Sequence, residues 1–152
     1  MIFCIDFDST VVVQEGRDYE DVTTPLEFMP NAWAALHSLK AAGHVLLLYS
    51  ARANRALRID PNLDPLVRAG VKKVNMEWWE ANKALNQARF DQMMDFAMTE
   101  LPGIFDAIDD GEQGKPSADV YLDDKALRLG PTSQTWASVA DMYGEPIKRR
   151  SA

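Results

Sequence analysis

The stretch Met1-Ile2-Phe3-Cys4-Ile5-Asp6-Phe7-Asp8-Ser9-Thr10, residues 1–10, opens as an apolar run and turns acidic at once. Ile2 to Ile5 read as a buried strand, and the carboxylates that follow put a polar site at its C-terminal end. A second such run, Val45-Leu46-Leu47-Leu48-Tyr49, lies between Gly43 and Ser50 and shows no alternation, which suits a strand covered on both faces. Between the two, Ala32, Ala35, Leu36, Leu39 and Ala42 recur at helical spacing, with Asn31 as the expected cap and Gly43 as the stop. The order β-α-β implies parallel strands.

Downstream, Phe90, Met93, Met94, Ala97 and Leu101 share one helical face, which Trp78, Ala81 and Leu85 extend upstream, so a helix is expected over 77–101, ended by Pro102 and Gly103. Ile104, Phe105, Ala107 and Ile108 suggest a third strand, Val120 to Leu122 a fourth, and Trp136, Val139, Ala140 and Tyr143 a closing helix. Residues 51–57 can open a helix, but Pro61 and Pro65 interrupt the pattern, and 58–76 carry no assignment. Residues 11–30, with Gly16, Pro25 and Pro30, read as a flap or hairpin over the strand ends, and 148–152 as a frayed tail. The whole of 1–152 is expected to form one domain.

Composition narrows the function. The 152 residues carry 16 Lys+Arg against 23 Asp+Glu, a net charge of −7, which disfavours broad attraction to nucleic acid or anionic membrane. The single Cys4 has no internal disulfide partner and sits in an apolar run, so a reducing, cytoplasmic setting is expected. No run approaches the ~20 apolar residues of a membrane span, and the acidic start is unlike a signal peptide.

Three polar stations follow expected strands: Asp6 to Thr10, Ser50, and Asp123-Asp124. In an open parallel sheet these ends share one crevice. Carboxylates brought together there must take up protons or share a cation, and all-oxygen donors with neither His nor Cys favour Mg²⁺, whose open positions suit a phosphate oxygen. One carboxylate can then attack phosphorus while a second moves the proton, with Ser50 and a lysine holding the phosphoryl oxygens.

The string Phe3 to Val11 resembles the first motif of the haloacid dehalogenase superfamily of phosphohydrolases, an apolar strand followed by Asp-x-Asp-x-Thr/Val. Leu46 to Ser50 looks like the second motif, Lys115-Pro116 like the third, and Val120 to Asp124 like the fourth, in the family's order over residues 3–124. The resemblance implies an α/β, Rossmann-like three-layer sandwich with a central, mostly parallel sheet and no large cap domain. It implies Asp6 as nucleophile, Asp8 as general acid/base, Ser50 and Lys115 as phosphate-binding groups, and Mg²⁺ held by Asp6, the Asp8 backbone carbonyl and Asp123, with Asp124 as alternative ligand. The expected activity is Mg²⁺-dependent phosphomonoester hydrolysis through phospho-Asp6. The short insertions between motifs resemble those of the capless or minimally capped members, and an open site implies a bulky phosphorylated substrate or a lid lent by a partner subunit in a homo-oligomer.

Two departures from the family pattern stand out. Ser9 occupies a position where many members have Gly, and Lys115 lies only eight residues before Asp123, which starts it near the wrong end of the sheet if 119–122 are extended. Lys83, Lys72, Lys73 and Lys125 are the substitutes. Arg52 is a candidate phosphate ligand, weighed against a solvated arginine on a first helical turn; Ser50 is weighed between capping and phosphate binding. Asp106, Asp109 and Asp110 read as solvated, and His37 and His44 lack ligand spacing. Other readings are a nucleotidase or nucleic-acid end phosphatase of the same fold, a receiver-like signalling module, and a catalytically idle binding protein. The early spaced acidic pair and late adjacent pair run opposite to a receiver's order.

Overall fold

The computed structural model describes residues 1–126 together with Tyr143. Its strands β1 (Ile2–Ile5), β2 (Val45–Leu48), β3 (Ala107–Ile108) and β4 (Val120–Leu122) form one sheet in the order β3-β2-β1-β4, and every pairing is parallel. Helices α1 (Ala32–Ala41), α2 (Arg55–Arg58), α3 (Pro65–Arg68) and α4 (Met76–Glu100) complete an α/β architecture compatible with a Rossmann-like fold.

Register decides which residues enter the core. Phe3 pairs with Leu46 and Val120, and Ile5 with Leu48 and Leu122, so these side chains share one face. Phe3, Ile5, Leu46 and Leu48 are buried there with Phe7, with Leu36 of α1 and with Met93, Phe96 and Ala97 of α4. Each such apolar side chain contributes about 1.5–3 kcal/mol. The opposite face is barer: Ile2, Val45 and Tyr121 are exposed, and only Cys4 is deeply buried. Expected burial on both faces is therefore met on one, among the described residues. The chain crosses the barer face in the loop 109–118, which joins β3 to β4 without a helix. The expected closing helix around Trp136 to Ala140 and the tail 148–152 lie outside the described residues.

α1 ends as expected, with Gly43 at φ +83° and bonds from Gly43 N to Lys40 O and His44 N to Leu39 O, a paired closure that needs a left-handed residue. Its start differs. Asn31 is itself left-handed at φ +65°, and its side chain makes no capping bond. In 58–76 the prolines begin helical turns instead of ending them. Asp60 and Asp64 accept from Asn62 N and Leu66 N, and each is followed by Pro at the first helical position, where no N–H is required. α4 matches the expected 77–101 closely, but its apolar stripe covers only the C-terminal half. Upstream, Trp78 and Ala81 are exposed, while Asn86 and Arg89 are buried.

The 11–30 segment closes on itself through Val13 N to Glu27 O (2.8 Å) and Met29 N to Val11 O (2.9 Å). Arg17 ties it internally to the carbonyls of Thr24 and Pro25. Among the described residues, no helix is long and apolar enough to cross a membrane.

Candidate active site

From β1 the sheet grows one way through β2 and β3, then the chain returns to add β4 on the other side of β1. The reversal leaves a crevice at the C-terminal ends of β1 and β4, the place where open parallel sheets bind ligands. Asp6 follows β1, and its N–H donates to Leu122 O at 2.9 Å, which carries the ladder one step further and brings Asp6 beside the residues after β4. One carboxylate oxygen from each of Asp6, Asp123 and Asp124 lies within 4.8 Å of the other two. Asp123 is oriented by accepting from Lys125 N at 2.8 Å.

Two like charges at such a separation repel by about 3 kcal/mol at an effective dielectric of ~20, before solvent screening. The half-buried Asp6 registers this: burial first, then the neighbouring carboxylates of Asp123, Asp8 and Asp124, push it from the ordinary 3.8 to about 6, against one backbone hydrogen bond at Phe7 that acts the other way. A donor set of three carboxylates, with neither His nor Cys in it, fits a hard divalent cation such as Mg²⁺.

The cluster opens into a cavity of about 530 Å³ lined by Asp6, Ser50, Arg55, Asp109, Asp123 and Lys125, among others. Ser50 is buried and accepts from Arg52 N at 3.2 Å, so it caps the turn Ala51–Ala53 while also facing the cavity. Gly111 holds the far wall. At φ +80° it packs so closely on the turn after β2 that an added Cβ would stand 2.1 Å from Ala53 O. Asp109 is not the solvated residue expected. It is half-buried on the cavity wall at the end of β3, and burial pushes its carboxyl up. Asp106 does lie apart, paired with Lys40 at 2.6 Å.

The turn after β1 wraps on Phe7 O, which accepts from Thr10, Val11 and Val12, with Ser9 at φ +58°. That left-handed backbone explains why glycine suits the position. Past Phe7, the Asp8 side chain makes its hydrogen bonds to Arg52, while its charge still bears on Asp6. The Asp8 carboxylate is gripped by Arg52, with Nε at 3.1 and 2.9 Å from its two oxygens and Nη2 at 2.7 Å from Oδ1. Among the described residues the carboxylates that meet are Asp6, Asp123 and Asp124, and the Asp8 side chain is not in that set.

Arg52 differs from both readings made for it. It is neither a solvated arginine nor on the wall of the acidic cavity; it is 6% exposed and its donors are spent on Asp8, Arg89 O and Gln92. Lys115 is also displaced. Asp119 N already bonds Ile2 O at the start of β1, so the preceding residues lie across the sheet, and the Lys115 ammonium sits 4.2 Å from the Tyr121 ring centre in a neighbouring cavity. Among the described residues, Lys125 is the lysine that lines the acidic one.

Compared with family models, curated proteins and solved structures, the chain matches none.

Arg55 and Arg89 escaped the sequence reading. Arg55 lines the acidic cavity, 3.7 Å from Glu112. Arg89 had a signal: it stands four residues after Leu85 and four before Met93, a charge inside an apolar stripe, and such a residue is buried only with a partner.

Proposed function

We propose that the chain is a Mg²⁺-dependent phosphomonoester hydrolase of the haloacid dehalogenase type, with a Rossmann-like core and no large cap. The observation that carries this reading is the meeting of Asp6, Asp123 and Asp124 at the point where the strand order reverses, although more than a hundred positions separate them in the chain. Asp6, Asp123 and Asp124 would hold the divalent ion, which would supply Lewis-acid neutralisation of a phosphoryl group's charge.

The chain's own residues do the rest. Asp6 attacks phosphorus, forming an acyl phosphate as the ester P–O bond breaks, and Asp8 gives its proton to the departing oxygen. Asp8 then takes a proton from the water that attacks phospho-Asp6, and inorganic phosphate leaves. Ser50 and Lys125 are the cavity groups suited to hold the phosphoryl oxygens, in place of Lys115 and Arg52. With no large cap over it, such a site would admit a substrate larger than its phosphate.

The test is release of phosphate from an aryl phosphate by the full chain with Mg²⁺. Turnover should cease on chelation and fall on the order of 10³-fold or more in Asp6→Asn, with the fold retained. Undiminished activity in that variant refutes the nucleophile, and an inert wild-type chain refutes the reading.

A further inference from the structure

Asp8 is held by more positive charge than one carboxylate requires. Arg52 and Arg89, 6% and 7% exposed, both converge on it, the second with Nη2 at 4.0 Å from Oδ2. Arg52 is fixed at both ends. While Nε and Nη2 grip Asp8, Nη1 donates to Arg89 O at 2.9 Å and to Gln92 Oε1 at 3.0 Å, and the Phe7 ring lies 5.1 Å from its guanidinium carbon. Arg89 is fixed from the other side by the 11–30 loop. It donates to Tyr19 O at 2.9 Å and stacks at 3.9 Å on the Tyr19 ring, whose hydroxyl bonds Asn86 one turn earlier on α4.

We infer that Arg52 and Arg89 are positioning residues for Asp8, and that Tyr19, reaching across from the 11–30 loop, completes their clamp. This rests on the hydrolase reading above. Displacement of a reacting group by about 1 Å can cost 10²-fold, so a carboxyl that must hand a proton to a leaving oxygen gains from a rigid seat. In that step the Asp6–P bond forms, the P–O ester bond breaks, and the proton on Asp8 passes to the leaving oxygen, leaving a carboxylate that the two guanidinium groups stabilise. The loop then has a function beyond covering the core. Its seating on α4, through Tyr19, sets the direction of Asp8.

The leaving group separates this role from a merely structural one. An alkoxide needs the proton, whereas a nitrophenolate departs without it. The full chain with Mg²⁺ is assayed for kcat/KM on an alkyl phosphate and on a nitrophenyl phosphate, as wild type, Arg89→Met, Arg89→Lys and Tyr19→Phe, with thermal unfolding of each. Arg89→Met should lose about 10–100-fold on the alkyl ester and no more than about 3-fold on the aryl ester. Arg89→Lys should recover part of the difference. Tyr19→Phe, which keeps the ring and removes only one hydroxyl, should shift the ratio in the same direction by about 3-fold. Equal losses on both esters, or none, overturn the positioning role while leaving the hydrolase reading intact. A wild-type chain inert on both esters removes that reading and this inference with it.

Discussion

Asp6 and Asp8 are separated by one residue, yet their surroundings are opposite in sign. Asp6 faces two further carboxylates across the crevice, and burial among them raises its proton affinity. Asp8 faces two buried guanidinium groups and has three hydrogen bonds from one of them. Phe7 alone stands between them, and Ser9, left-handed at φ +58°, follows Asp8 directly. One region accumulates charge that a cation would relieve, and the other is already compensated by ion pairing. The difference teaches that an Asp-x-Asp motif is not a pair of equivalent groups: fold and neighbours give each carboxylate its own electrostatic surroundings.

The comparison breaks most severely at its compensated half. Arg52→Met leaves Asp8 with Arg89 alone, at 4.0 Å, and strands Gln92 and Arg89 O, so stability should fall by about 3–5 kcal/mol in denaturant unfolding. A loss below about 1 kcal/mol would mean that Arg52 is not the anchor. Gly111→Ala strikes the wall of the acidic cavity without touching a charge. Its Cβ meets Ala53 O and the backbone is left-handed, so a cost of about 2–3 kcal/mol is expected, with Asp8 unaffected.

Asp6→Asn acts in the opposite direction and sharpens the contrast. The folded carboxyl titrates near 6 against 3.8 for the ordinary group, so the folded state binds this proton more tightly than the unfolded chain. That contribution is complete below about pH 4 and is lost as pH rises through about 6. The Asn variant should therefore be more stable than wild type above pH 6, by about 1 kcal/mol once solvent screening is allowed for, and equal to it near pH 4. Thermal unfolding of both proteins across that range reads the effect; a variant less stable than wild type at neutral pH would contradict the crowding of carboxylates.

Much of this was legible in the residues themselves. Ile2 to Ile5, Val45 to Leu48 and the stripe Phe90 to Leu101 are runs whose period admits one structure, and carboxylates after the first and last strands of a parallel sheet have one crevice to share. The remainder depends on tertiary contacts. Nothing local distinguishes an arginine that folds inward onto Asp8 from one that reaches solvent or a substrate phosphate, the two readings that the residues around Arg52 leave open. Lys115 and Lys125 are told apart only by the path of the 109–118 loop across the sheet. The short helices at Asp60-Pro61 and Asp64-Pro65 were legible in principle, since an acidic cap before Pro starts a turn, but proline read as a breaker hid them.

The most direct test of the central claim is calorimetric titration of the metal-free full chain with Mg²⁺ near neutral pH, in wild type and Asp6→Asn. One ion per chain should bind to wild type, with affinity reduced at least about 10-fold when Asp6 loses its charge. No heat of binding in wild type, or an isotherm unchanged by the substitution, would contradict the proposal that Asp6, Asp123 and Asp124 hold a common cation.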